Sequence, residues 1–175
     1  MLRTGLDGLD IAVSSAGTGA LAGDPMDDRA AAYSRQYGGY PDRHVARQLT
    51  IEQLRDTDLV LALSREHRRA VVELLPRASH FTFTLREFAR LLDTLNVDDR
   101  AEIAAQLGVY ARIGTLVEIA AANRGVAERP DDPADEDVVD PFRRDDAVYA
   151  ESVRQLVPAV QSIVQSVLRS ADGFQ

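Results

Sequence analysis

Apolar residues along this chain come in two kinds of pattern: short solid runs and longer stretches with helical spacing. Ile11-Ala12-Val13-Ser14 is a brief run closed by small turn residues, and it predicts a buried strand. Leu59-Val60-Leu61-Ala62-Leu63 is apolar at every position, as suits a strand of a parallel sheet covered on both faces. Phe81-Thr82-Phe83 predicts a third strand. Between the runs lie helices. An alanine-rich stretch over 27–36 predicts one, and Gly38-Gly39-Tyr40-Pro41 breaks it. Thr50 with Gln53, and Thr84 with Glu87, have the spacing of capping boxes, so a helix is expected to start at each. Ser64 is placed to cap a helix running through Leu75, where Pro76 stops it. Residues 98–123 put Ile103, Leu107, Tyr110, Gly114 and Val117 down one face and predict a single long helix ending at Arg124-Gly125. Residues 126–137 hold Pro130, Pro133 and a cluster of acids, and read as a mobile surface loop. The last helix starts at Asp145 or Asp146. Its apolar stripe is Val153, Leu156, Val157, Val160, Ile163, Val164 and Val167, and Pro158 should kink it or shift its early turns.

Strands that alternate with helices indicate an α/β fold with a parallel sheet. At 175 residues the chain is long enough for one domain with a real core. No internal repeat is visible. A net charge of −8 argues against nucleic acid as a partner, because that binding needs clustered Lys and Arg. Arg65, Arg68 and Arg69 are the one local basic group, and Glu66 and Glu73 interrupt it. Acidity also argues against an anionic membrane surface. No run approaches the ~20 apolar residues of a membrane helix. The start lacks the features of a signal peptide, so the expected location is the cytoplasm. There is no cysteine, which removes disulfides, thiolate metal sites and cysteine catalysis from these residues.

Three segments carry candidate chemistry. Asp140-Pro141-Phe142 joins a carboxyl group, a stiffening proline and an aromatic ring. Such an acid can protonate the leaving oxygen of a breaking phosphate ester, and the ring can stack on a ring-bearing substrate. Ser15-Ala16-Gly17-Thr18 follows the first expected strand, and a plain turn with a capping hydroxyl explains it equally well. His44-Val45-Ala46-Arg47-Gln48-Leu49-Thr50 precedes a helix start. His67 and His80 are too far apart in sequence to suggest a metal pair.

Taken in order, with Asp58-Leu59-Val60-Leu61 between the second and third, these segments resemble the low-molecular-weight protein tyrosine phosphatases. The resemblance covers roughly 11–85 and 138–168, and it implies a three-layer parallel sheet flanked by helices. On that frame residues 93–137 form a helical insertion ahead of the general-acid loop, within a single domain of 1–175. The resemblance implies Asp140 as general acid and Phe142 as a substrate-facing aromatic. Ser15 and His44 become supports of the phosphate loop. Arg143 stands where many members have a second aromatic, and Ser64 where an acid is common. The implied reaction is hydrolysis of a protein phosphotyrosine ester, or phosphoarginine in some bacterial members, through a phosphocysteine. It needs no metal and no organic cofactor, and the implied partner is a phosphoprotein substrate.

The family opens with a strand and a C-x-x-x-x-x-R loop that cradles phosphate on backbone N–H groups. Only ten residues precede Ile11, and Met1-Leu2-Arg3 matches the end of the helix after that loop. The expectation is therefore a fold without its first strand, inactive as given, with a truncated or misassigned start and marginal stability. A non-catalytic phosphatase-like binding module is the alternative. Nucleotide binding at Gly17-Thr18-Gly19 fails on glycine spacing and on Pro25. Arsenate reduction on this scaffold needs cysteines. Oligomeric state is open.

Overall fold

The computed structural model describes residues 1–173 and opens on a short helix, α1 (Leu2–Gly5). Two strands, β1 (Val60–Ala62) and β2 (Thr82–Thr84), pair in parallel, with Val60 opposite Thr82 and Ala62 opposite Thr84. The crossover between them is α4 (Arg65–Leu74) followed by a 3₁₀ turn at Pro76–His80. Adjacent strand residues point to opposite faces, and β1 shows the consequence. Leu59 and Leu61 pack on the main core, while Val60 joins a smaller cluster of Leu54, Val71 and Ala78 on the other side. The small parallel sheet is thus a layer between helices, and the architecture is α/β.

The main core is built by α5 (Leu85–Asp93), α7 (Val109–Asn123) and α8 (Asp146–Ala171) around Phe83 and Phe88. Those rings are fully buried, with centroids 4.9 Å apart at a tilt of 53°. α5 starts on the expected capping box. Thr84 Oγ1 accepts from the Glu87 N–H, and a Glu87 carboxylate oxygen accepts from the Thr84 N–H. The other Glu87 oxygen accepts from Arg124 Nε at 2.7 Å. The Arg124 guanidinium also donates to the carbonyls of Ser79 and Thr82 and lies 4.1 Å from the centre of the Phe83 ring. Burial pushes this guanidinium below its ordinary pKa, and the Glu87 charge opposes that shift. One ion pair, with its carboxylate buried and its guanidinium partly buried, therefore bolts the end of α7 to the sheet and to α5.

The expected start signals at α3 (Ile51–Arg55), α4 and α8 are present, with Thr50, Ser64 and Asp145 accepting from first-turn N–H groups, and in α2 (Asp28–Gln36) Asp27 does the same. α8 stays one helix through Pro158.

Three expectations fail. Ile11-Ala12-Val13-Ser14 is not a strand. Ile11 and Val13 pack against the main core, Ala12 is exposed, and the Val13 carbonyl accepts from the Arg3 guanidinium at 2.6 Å instead of from a ladder. A strand needs a partner, and among the described residues this segment has none. Its nearest sheet-like contact is one isolated parallel bridge between Gly17 and Gln48. The long helix over 98–123 is instead α6 (Val97–Ala104) and α7, separated at Gly108 with φ of +88°. That angle suits glycine, which lacks the Cβ that makes it costly. Leu107 and Tyr110 beside the break are 93% and 74% exposed, so the expected stripe holds only at Ile103 and Val117. Finally, residues 126–137 are tied down. Arg90 donates to the Glu128 carbonyl and to the Glu136 carboxylate, and a 3₁₀ turn covers Pro133–Glu136.

Candidate active site

The first two sequence segments lie side by side. The Gly17 N–H donates to the Arg47 carbonyl at 2.9 Å, and the Leu49 N–H donates to the Gly17 carbonyl at 2.8 Å. Side chains reinforce the pairing. Gln48 accepts from the Ala20 N–H and donates to the Thr18 carbonyl, and Arg47 Nη2 donates to the Ser15 carbonyl. Further along, Gly23 N–H donates to the Ala46 carbonyl and Ala46 N–H to the Asp24 carbonyl. His44 follows a 3₁₀ turn at Pro41–Arg43, where its N–H donates to the Pro41 carbonyl. Its ring is half-buried, and Ser15 is exposed.

Asp140-Pro141-Phe142 lies just past the carboxyl end of β1, the edge of a parallel sheet where ligands bind. The Val138 N–H donates to the Leu63 carbonyl at 2.7 Å, which docks the loop one residue past β1. Asp137 strengthens the joint. Its carboxylate accepts from the Arg65 N–H at 2.7 Å and from the Arg65 guanidinium, so it holds the first turn of α4. On the other side, the Val139 N–H donates to the Gln155 side chain on α8. Asp140 Oδ1 accepts from the Phe142 N–H at 3.0 Å, closing a tight turn. A carboxyl group engaged through one oxygen retains the other for proton transfer. The Phe142 ring is 47% exposed, with the Arg143 guanidinium 5.0 Å from its centre. Arg143 has φ of +59°, a left-handed backbone that a side chain makes costly by roughly 1–2 kcal/mol.

The third segment is linked to the other two through α2. Arg29 Nη1 donates to the Arg144 carbonyl at 2.8 Å and to the Asp146 carboxylate at 3.2 Å. Its guanidinium lies 4.3 Å from the centre of the Tyr149 ring. The Tyr149 hydroxyl donates to Asp27 Oδ1 at 2.8 Å, and the same carboxylate caps α2. That hydrogen bond lowers the Asp27 pKa, the largest of its causes. Burial, then the same bond, raises the Tyr149 pKa. Both shifts favour the paired form at neutral pH.

The structure thus joins Ser15 and His44 by their backbone neighbours and sets Asp140 and Phe142 at the end of β1. Sequence reasoning did not single out Asp137, Arg29, Asp27 or Tyr149 as site residues. Asp137 carried a usable signal, an acid three residues before the Asp-Pro pair. The others carried none, because their contacts span more than a hundred positions. Two surface grooves, of about 280 and 450 Å³, are lined by Arg65, Arg68 and Arg69 and by Tyr37, Val157 and Val164 among others, and no candidate residue lines either. Among the described residues no group of three or more His, Asp or Glu could hold a metal ion. Among the described residues no helix is long and apolar enough to cross a membrane.

Comparison with known proteins gives a consistent result. The profile of the family described as "Low molecular weight phosphotyrosine protein phosphatase" matches residues 1–124. Etp of Escherichia coli (strain K12), a low molecular weight protein-tyrosine-phosphatase, is 37% identical over 76 residues, covering 43% of this chain and 50% of that protein. The probable phosphatase EpsP of Ralstonia solanacearum is 32% identical over 99 residues, covering 57% of this chain and 64% of that protein. The crystal structure of the Erwinia amylovora tyrosine phosphatase amsI superposes with a TM-score of 0.61 at 21% identity, covering 94% of this chain and 79% of that one. The chain spans about half the length of the curated relatives it matches, from 44% to 64%.

Proposed function

As the chain belongs to the low molecular weight phosphotyrosine protein phosphatase family, we propose that these residues supply the general-acid side of a phosphotyrosine phosphatase centre. Asp140 is the proton donor to the leaving phenol oxygen, and Phe142 faces the substrate ring. Ser15 and His44 support the phosphate-binding side. The substrate class is a protein phosphotyrosine ester. The observation that carries this reading is the tight Asp140-Pro141-Phe142 turn docked at the carboxyl end of β1.

The same residues contain no cysteine. A well-placed general acid contributes only about 10²–10⁴-fold, and it needs a bound, attacked ester to act on. The 175-residue chain by itself is therefore inert toward aryl phosphates. Assay of p-nitrophenyl phosphate should give the same background rate for the chain and for Asp140→Ala. Turnover in the chain that the substitution removes would contradict this. A second reading, a non-catalytic module that retains the scaffold for a partner, is favoured by the same absence of a cysteine thiol. Binding of a phosphotyrosine peptide without turnover, unaffected by Asp140→Ala, would support it.

A further inference from the structure

We propose that Arg29, held by Tyr149 and Asp27, is the positioning residue of the Asp140 loop. The proposal rests on the reading of Asp140 as general acid for its catalytic meaning, and on geometry alone for its mechanics.

The loop between the Pro133–Glu136 turn and α8 enters under firm control. Val138 is bonded to Leu63 just past β1, Asp137 to α4 and Val139 to α8. Its exit is different. Within the loop itself, the Phe142 N–H reaches Asp140 and the Arg144 N–H reaches the Pro141 carbonyl. The tie from the exit to another element is Arg29, which takes the Arg144 carbonyl and the Asp146 carboxylate through one nitrogen. A tie is needed there. Arg143, directly before Arg144, is the one non-glycine residue with positive φ among the described residues. Such a conformation persists where its surroundings over-determine it.

Arg29 is in turn fixed from beneath. The Tyr149 ring carries its guanidinium, and Tyr149 is itself held by Asp27, whose carboxylate also accepts from the Arg29 and Ala30 N–H groups. The contacts close a circuit: Asp27 to the first turn of α2, Arg29 to the loop exit, α8 to Tyr149, and Tyr149 back to Asp27. A planar guanidinium can stack on a ring while it donates at its edge. Lysine in its place keeps the charge and loses that combination.

The test is ¹⁵N relaxation on the 175-residue chain, which needs no turnover and is independent of whether Asp140 proves catalytic. In Arg29→Lys the order parameters of Phe142, Arg143 and Arg144 should fall from about 0.85 to below about 0.6, with α5 unchanged. Tyr149→Phe removes only the hydroxyl, and should loosen the same residues to a smaller extent. It gives the same reading if Arg29→Lys does not fold. Loosening confined to the loop is the expected result. An unchanged loop, or equal loosening of the loop and α5, overturns the proposal, since a merely structural arginine would produce one of those two.

Discussion

Residues 82–120 and residues 11–50 are held by different forces. The first region buries Phe83, Leu85, Phe88, Leu91, Ile103, Leu116 and Ala120 almost completely and locks them with the Arg124–Glu87 pair. The second buries little beyond Ala31 and Pro41, and is held by backbone bonds at Gly17, Gly23, Ala46 and Leu49 and by the Gln48 and Arg47 side chains. Two of the three candidate segments lie in this second region. Burial secures the fold in one place, and directional bonds set the geometry of candidate site residues in another, as is common where binding residues sit on loops carried by a rigid scaffold.

The contrast can be broken from the packed side first. Phe88→Ala should lower the unfolding free energy by about 3–5 kcal/mol, read from urea titration, because the ring is fully buried and its site is lined on all sides. A loss below 1 kcal/mol would mean that α5 is not the centre of the core. Arg124→Met should cost about 3 kcal/mol, since it leaves the Glu87 carboxylate buried without its partner. Combining it with Glu87→Gln should cost less than the sum of the two single changes, as expected for groups in contact. On the looser side, amide exchange should separate the regions. The amides of Gly17, Gly23, Ala46 and Leu49 should exchange well before those of α5, because opening them exposes little apolar surface. Equal protection would erase the distinction.

The smallest expected effect is a pH dependence of the link between the regions. The folded-state pKa of Asp27 is depressed, so its contribution is present above its unfolded value and lost as pH falls through the folded one. The folded-state pKa of Tyr149 is raised, so its contribution is present below its unfolded value and lost as pH rises through the folded one. The stability difference between the chain and Tyr149→Phe should be flat around neutrality, about 1 kcal/mol or less. It should shrink toward both extremes. A difference that grows at high pH would contradict the assigned bond.

What the sequence made legible follows the reach of each interaction. Capping boxes at Thr50 and Thr84 and the caps at Ser64 and Asp145 act within a few residues, and all were readable. β1 and β2 were readable from solid apolar runs and turn signals. Ile11–Ser14 misled because apolar content alone does not supply a ladder partner. Gly108 misled because a helical stripe continues in register across a glycine that the backbone uses to turn. At the candidate site, the tight turn at Asp140 is local and was legible from Asp-Pro. The Arg29–Tyr149–Asp27 circuit depends on α2 meeting α8, which only the folded chain reveals.

The central claim is that Asp140 stands where it can serve a phosphate ester attacked from a neighbouring loop. The direct measurement is the hydrolysis rate of an aryl phosphate by a chimera in which the strand and C-x-x-x-x-x-R segment that opens the family precedes this chain. The account predicts that the chimera turns over substrate and that Asp140→Asn lowers kcat by about 10²–10⁴-fold. A chimera that is active and indifferent to Asp140→Asn would contradict it.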